Sequence, residues 1–289
     1  MTLIHEFAPA KLNLYLHITG RRADGYHDLD SLVAFASIGD EVALRPAKKF
    51  HFEITGAGAA ALAHEDDADN LVVKAARSLA ELTGHELDVH LLLVKKLPVA
   101  SGIGGGSSDA AAALRALARH WGLAQDDPRI MQAAARHGQD VPVCVRIENT
   151  YMTATGVLPA PKMPRADVLL INPGKALSTP AAYKKYREGG YAFSPLARLQ
   201  QTPRTITELV LALKERGNDF YAPACHMMPE VAEIIAALES SGECLLARMS
   251  GSGATCFGIY PDAVSAKSAA AQLRAARPRW WIEAGVINA

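Results

Sequence analysis

Apolar and polar positions first alternate over residues 12–18, where Leu12, Leu14, Leu16 and Ile18 are separated by Asn13, Tyr15 and His17. A period of two predicts a strand with one buried face and puts Lys11 and Asn13 together on its polar face. Further strands are predicted over 29–37 and 41–45, after a turn over 20–25 that contains Gly20 and Gly25. The period then lengthens. Leu71, Ala75, Leu79 and Leu82 recur at helical spacing, with Asn70 placed to cap the start and Gly84 the end. A strand over 87–94 leads into a glycine-rich run, and a helix over 109–121 follows, with Leu114, Leu117 and Trp121 on one face and Gly122 stopping it.

Prolines cluster over 159–164 and predict a linker, which divides the chain into domains 1–160 and 161–289. In the second part, strands are predicted over 167–171, 244–249, 255–260 and 280–286, and helices over 205–216, 229–241 and 263–276. The glycine turn over 250–254 joins two of these strands. This order suits helices packed on an antiparallel sheet, an α+β fold.

The length of 289 residues accommodates two domains, each with its own core. Thirty basic residues balance thirty acidic ones. That balance argues against a nucleic-acid partner, whose binding rests on a basic face, and favours a small molecule. Cys144, Cys225, Cys244 and Cys256 form no Cys-x-x-Cys pair and have no His at ligand spacing, so neither a disulfide framework nor a metal site is expected. The start of the chain has no basic leader and no segment has the apolar length of a membrane span, so the expected location is the cytoplasm, away from the membrane.

The run Gly102-Ile103-Gly104-Gly105-Gly106-Ser107-Ser108 carries the clearest chemistry. Three consecutive glycines let the backbone approach a ligand closely, and the following helix turns unpaired N–H groups and its positive end toward the loop. A polyphosphate fits there; two hydroxyls add donors, and Asp109 stands near the same terminus. No Gly-Lys-Ser/Thr closes the loop, and the last position of a dinucleotide fingerprint is Ser107, so neither of those nucleotide motifs is present.

The segment Lys96-Leu97-Pro98-Val99-Ala100-Ser101-Gly102 through Asp109-Ala110-Ala111 resembles the phosphate-binding motif of the galactokinase, homoserine kinase, mevalonate kinase and phosphomevalonate kinase superfamily. Ala8-Pro9-Ala10-Lys11-Leu12-Asn13-Leu14 and Ser250-Gly251-Ser252-Gly253-Ala254-Thr255-Cys256-Phe257-Gly258 resemble two further segments of it. Gly20-Arg21-Arg22-Ala23-Asp24-Gly25-Tyr26-His27 and Gln139-Asp140-Val141-Pro142-Val143 are similar to one branch, the 4-diphosphocytidyl-2-C-methyl-D-erythritol kinases of the non-mevalonate isoprenoid route. The resemblance covers essentially the whole chain. It departs at Ala100 and Ser101, where many relatives carry glycine, and at Gln139, where a small residue is common.

The resemblance implies a ribosomal-protein-S5-like ATP-binding first domain, a ferredoxin-like substrate-binding second domain, ATP as co-substrate with Mg2+, and a cytidine diphosphate-linked polyol as acceptor. It implies catalytic roles for Lys11 and Asp140 and an ATP site made by Asn70, Lys96, Pro98, Val99, Ala100, Ser101, Gly102, Ile103, Gly104, Gly105, Gly106, Ser107 and Ser108. Tyr26 and Tyr183 are implied as aromatic faces for the cytosine, His27 as its hydrogen-bond partner and Asn13 as a substrate contact. No metal-ligating residue is implied. Several residues have a plainer reading beside this one. Asn70 is a helix cap, Asp140 caps a turn before a strand that Pro142 enters, Tyr26-His27 follows a hairpin turn, Tyr183 is a surface tyrosine, and Gly251-Ser252-Gly253 is a hairpin turn.

Overall fold

A computed structural model describes residues 3–23, 25–64 and 66–288. Asp24 of the Gly20 to His27 motif and the first two residues of the chain lie outside the described residues. The elements run β1 (Ile4–Arg21), β2 (His27–Pro46), β3 (His51–Thr55), α1 (Leu71–Thr83), β4 (Val89–Val94), α2 (Gly105–His120), α3 (Pro128–Ala135), α4 (Asp140–Arg146), β5 (Thr150–Thr153) and β6 (Gly156–Pro159). They continue with β7 (Ala166–Asn172), α5 (Thr179–Glu188), α6 (Ile206–Lys214), α7 (Tyr221–Met227), α8 (Glu230–Glu239), β8 (Leu246–Met249), β9 (Cys256–Tyr260), α9 (Ala263–Ala276) and β10 (Trp281–Ile287). The mixture is α+β, and the chain forms two compact units.

The first unit comprises Met1–Ala10, Gly39–Val99 and Gly104–Ile147. Its sheet places the second half of β2 antiparallel to β4, with Val42 opposite Leu93, while β3 runs parallel to β4 on the other side. Along β4, Val89, Leu91 and Leu93 are buried and their neighbours half-buried, so one face meets the core. Helix α1 buries Val72, Val73, Ala75, Ala76, Leu79 and Ala80. Asn70 caps it by accepting from Val72 N at 2.9 Å, and Gly84 closes it in the left-handed region, as the sequence predicts. Helix α2 packs on α1, α3 and α4 through an alanine-rich surface that includes Ala110, Ala111, Ala112 and Ala113.

The second unit comprises Lys11–Ile38, Ala100–Ile103 and Glu148–Ala289. Its main sheet has the order β10-β7-β9-β8, antiparallel throughout, with Leu169 opposite Ala284 on one side and Gly258 on the other. All seven residues of β7 are buried, which explains its unbroken apolar run. Helices α8 and α9 pack on this sheet. The core gathers Leu169, Ile171, Tyr186, Phe220, Ile234 and Tyr260. Burying a side chain of this size contributes about 1.5–3 kcal/mol.

Three predicted features are corrected. Residues 29–37 and 41–45 belong to one continuous strand, β2, because Ser37 and Ile38 stay extended where their polar and glycine neighbours suggested a break. The helix predicted from 109 begins at Gly105, with Gly104 as its cap in the left-handed region (φ 63°, ψ 23°), so the glycines are themselves the first turn. Asp140 opens a helix rather than a strand, since Pro142 falls in the first turn, where a missing N–H is harmless.

Within the second unit, Asn218 is 9% exposed and joins three backbone groups. Its Nδ2 donates to Met249 O and Gly251 O, both at 2.8 Å, and its Oδ1 accepts from Phe220 N at 2.9 Å. It therefore fixes the turn between β8 and β9. Asn218→Ala leaves those groups without a partner, and the expected loss is about 2–4 kcal/mol, read by denaturant unfolding; a loss under about 0.5 kcal/mol contradicts this role.

Candidate active site

The first unit supplies the start of α2 and what lies beneath it. Strict alternation along β4 carries on one residue, so Lys95 points inward after Leu93 while Lys96 points outward. Lys95 Nζ donates to Asp40 Oδ2 at 2.5 Å and to Asp109 Oδ2 at 2.7 Å. The three side chains are 0–3% exposed. Asp40 Oδ1 also accepts from Lys96 N at 2.5 Å and Leu97 N at 2.8 Å, turning the chain out of β4. Asp109 Oδ2 accepts from Lys95, its carboxyl also comes within hydrogen-bonding reach of Asp40, and its buried Oδ1 is without a donor among the described residues. Burial pushes the Asp109 carboxyl up to about 8, with Asp40 adding to the rise and Lys95 opposing it. Burial pulls Lys95 down, but Asp109 and Asp40 outweigh it and its pKa is raised.

Gly105 stands directly above this group. A Cβ there would lie 3.0 Å from Lys95 Nζ, whereas one on Gly106 would meet nothing within 4 Å, so that side of the loop is open. Ser108 donates from N to Gly104 O at 2.9 Å, and its buried Oγ has no partner among the described residues. The first N–H groups of α2 lack intrahelical acceptors and point out of this end, the arrangement that takes phosphate. Asp140 occupies the first position of α4, half-buried. Lys96 pairs with Glu41 at 2.6 Å on a half-exposed surface.

The second unit holds the middle of the glycine run. Thr255 N donates to Ser101 O at 3.0 Å, Leu177 N to Ala100 O at 3.0 Å and Lys11 N to Ile103 O at 2.9 Å. Ser250 Oγ donates to Gly102 O at 3.0 Å and accepts from Asn13 N at 3.1 Å. Lys11 is 4% exposed and its Nζ lies 3.4 Å from Asn13 Oδ1. Asn13 Nδ2 donates to Ser31 Oγ at 2.7 Å, and Ser31 in turn donates to Tyr15 O at 2.6 Å. A relay of buried hydrogen bonds thus orients Asn13 beside Lys11. Ala100 sits at φ 49°, in the left-handed region that glycine occupies without cost.

Also in this unit, His27 and Tyr183 stack with ring centroids 5.0 Å apart at 24°, and Tyr183 meets Phe220 edge-on at 4.7 Å. Burial, then Arg187 and Arg21, hold the His27 imidazole below its usual range, so it is neutral near pH 7 and keeps one acceptor nitrogen. Tyr26 beside it is 72% exposed, a large ring offered to solvent. A separate group, His51, Glu53 and His90 on β3 and β4, has metal-ligand residue types. There Arg45 Nε donates to His90 Nδ1 at 3.0 Å, and His90 Nε2 lies 3.1 Å from Glu53 Oε2.

Comparison with known proteins gives the family. Residues 70–146 match the GHMP kinases N terminal domain and residues 223–279 the GHMP kinases C terminal model. The 4-diphosphocytidyl-2-C-methyl-D-erythritol kinase of Paramagnetospirillum magneticum is 48% identical over 284 residues, covering 98% of each chain. That of Rhodospirillum rubrum is 47% identical over 281 residues, covering 96% of this chain and 91% of the relative. The chain belongs to the 4-diphosphocytidyl-2-C-methyl-D-erythritol kinase family. A crystal structure of 4-(cytidine 5'-diphospho)-2C-methyl-D-erythritol kinase superposes with a TM-score of 0.79 at 31% identity, covering 98% of this chain and 99% of that one. A homoserine kinase of Cytophaga hutchinsonii, at 19% identity and a TM-score of 0.68, shares the fold. The protein is therefore a kinase of two-domain α+β fold, and no helix among its described residues is long and apolar enough to cross a membrane.

The sequence reading passed over Asp40 and Lys95 in the first unit and Ser31 and Phe220 in the second, and it marked Ser250 only as the start of a glycine turn. Lys95 was legible, since the period of β4 turns it inward and Lys96 outward. Asp40 carries no local signal, because its partner Lys95 lies 55 residues away.

Gly102 has a steric reason of its own. It sits at φ 77°, and a Cβ would lie 2.5 Å from Ser250 O and 2.7 Å from Gly253 N. Gly102→Ala is expected to cost roughly 2–4 kcal/mol from left-handed strain and overpacking together. Equilibrium unfolding checks this; unchanged stability means that the loop does not rest on the Ser250 turn.

Proposed function

We propose that this protein transfers the γ-phosphoryl group of ATP to the 2-hydroxyl of 4-diphosphocytidyl-2-C-methyl-D-erythritol, a step of the non-mevalonate route to isopentenyl diphosphate. The observation that carries the acceptor's identity is the stacked His27–Tyr183 pair, with a neutral imidazole and the exposed Tyr26 ring beside it. A pyrimidine offers flat faces to stack and an edge of donors and acceptors, which these three side chains complement. Near-full-length similarity to kinases named for that substrate supports the same reading.

In this reading the triphosphate lies at the amino-terminal end of α2, cradled by Gly104, Gly105, Gly106, Ser107 and Ser108, with Pro98, Val99, Ala100, Ser101, Gly102 and Ile103 lining the approach and Asn70 and Lys96 near the adenine. Asn70 keeps its capping role alongside. Asp140 takes the proton from the acceptor hydroxyl as that oxygen bonds to the γ-phosphorus. The bond to the β,γ-bridging oxygen breaks and ADP leaves. Lys11 counters the charge that accumulates on the transferring group, and Asn13, fixed by Ser31 and Ser250, orients the hydroxyl. Magnesium enters as the counter-ion of the nucleotide, so that MgATP is the co-substrate, and no protein ligand is assigned to it.

We read the two functional domains as 1–160, S5-like and ATP-binding, and 161–289, ferredoxin-like and substrate-binding; the matched segments 70–146 and 223–279 support one kinase module in each. The balanced charge agrees with a small-molecule acceptor rather than nucleic acid, and we place the protein's work in the cytoplasm.

Asp140→Ala is expected to lower kcat by about 10²–10⁴-fold while leaving the Kd for ATP nearly unchanged, because its role lies in the chemical step. Turnover within a few-fold of the parent removes it as the base. Tyr26→Ala is expected to raise KM for the cytidine substrate by roughly 10–100-fold, the equivalent of about 1–3 kcal/mol of stacking, with little change for ATP. Equal effects on both substrates contradict the stacking role.

A further inference from the structure

Two carboxylates share one ammonium in the buried group beneath the phosphate loop. Asp40, Lys95 and Asp109 are 0–3% exposed, so with both acids ionised the group would hold a net negative charge away from water. Retaining one proton removes it. The hydrogen bonds decide where that proton belongs: Asp40 accepts three N–H donors, from Lys95, Lys96 and Leu97, whereas Asp109 accepts one and keeps a buried oxygen with no partner among the described residues.

We propose that Asp109 is a proton-holding positioning residue for the phosphate loop: neutral, it keeps the Asp40–Lys95–Asp109 group uncharged beneath Gly104 to Ser108, and its ionisation weakens the binding of a triphosphate there. This rests on the reading of that loop as the ATP site. The coupling is short. Asp109 follows Ser108 directly, and Lys95 Nζ lies within 3.0 Å of where a Gly105 Cβ would stand, so the loop backbone rests on the group. A negative charge gained there acts on a polyanion through little intervening water. The rise of Asp109 to about 8 sets the window: the proton is held below it and lost above it. The helices packed on α2 also carry Lys74, Arg77, Glu81, Arg129, Asp140 and Arg146, but the charged groups that shift Asp109 are Lys95 and Asp40.

The test is the Kd for MgATP by calorimetry from about pH 6.5 to about pH 9.5, in the parent and in Asp109→Asn, which keeps the shape and cannot ionise. The parent is expected to weaken by roughly tenfold or more across the alkaline half, as loss of one linked proton requires, while Asp109→Asn stays within about twofold. Superimposable profiles overturn the proposal. Gly104→Val separates this failure from that of the loop reading: a weakened Kd in that variant keeps the loop as the ATP site whatever the pH profiles do, and an unchanged Kd removes both. In the parent protein itself, the Asp109 carboxyl carbon is expected to titrate near pH 8 by NMR and to move upward when a non-hydrolysable MgATP analogue binds. A midpoint in the ordinary carboxylate range contradicts it.

Discussion

The buried group that Lys95 makes with Asp40 and Asp109 is the constraint on which the glycine loop over 104–108 depends. It ties the middle of β2, the end of β4 and the first turns of α2 into one buried point within the first unit. Removing Lys95 strands two buried carboxyls without their cation, which is more costly than the intact group is stabilising. The loop can therefore be made almost wholly of glycine and serine, with no bulky side chain of its own to hold it. Asp40 does a second job, accepting the backbone of Lys96 and Leu97 and directing the chain toward the loop.

The second unit holds its own residues 100–103 by a different device. Ser250 accepts from the backbone of Asn13 and donates to Gly102, Thr255 donates to Ser101, and Asn218 fixes the turn that carries Ser250. Neutral hydrogen bonds, rather than charge, hold this part. They bring together Lys11, Asn13 and Ser31, and the relay to Tyr15 O leaves Asn13 little freedom to rotate.

How much of this was legible in the sequence depended on whether the signal was local. Caps at Asn70 and Gly84, the period of β4, the apolar run of β7 and the glycine turn after Met249 are all written within a few residues, and the structure follows them. The start of α2 was misplaced because glycine is a poor helix former and its run reads as a loop; packing of the alanines behind it, and the left-handed Gly104, override that tendency. The helix at Asp140 was misread because an Asp followed two residues later by Pro fits a turn as well as a first helical turn. Among the candidate site residues, residue types and the resemblance marked Lys11, Asn13, His27 and Tyr183. The contacts that orient them, through Ser31, Ser250 and Phe220, come from distant segments and become visible only in three dimensions.

The central claim is the identity of the acceptor, and the most direct measurement is ADP release from the purified protein with MgATP and, in parallel, 4-diphosphocytidyl-2-C-methyl-D-erythritol, homoserine, mevalonate and galactose. The account predicts turnover on the cytidine compound alone. Turnover on one of the others instead would contradict the assignment of Tyr26, His27 and Tyr183 while leaving the phosphate loop in place, and turnover on none would contradict the proposed reaction itself.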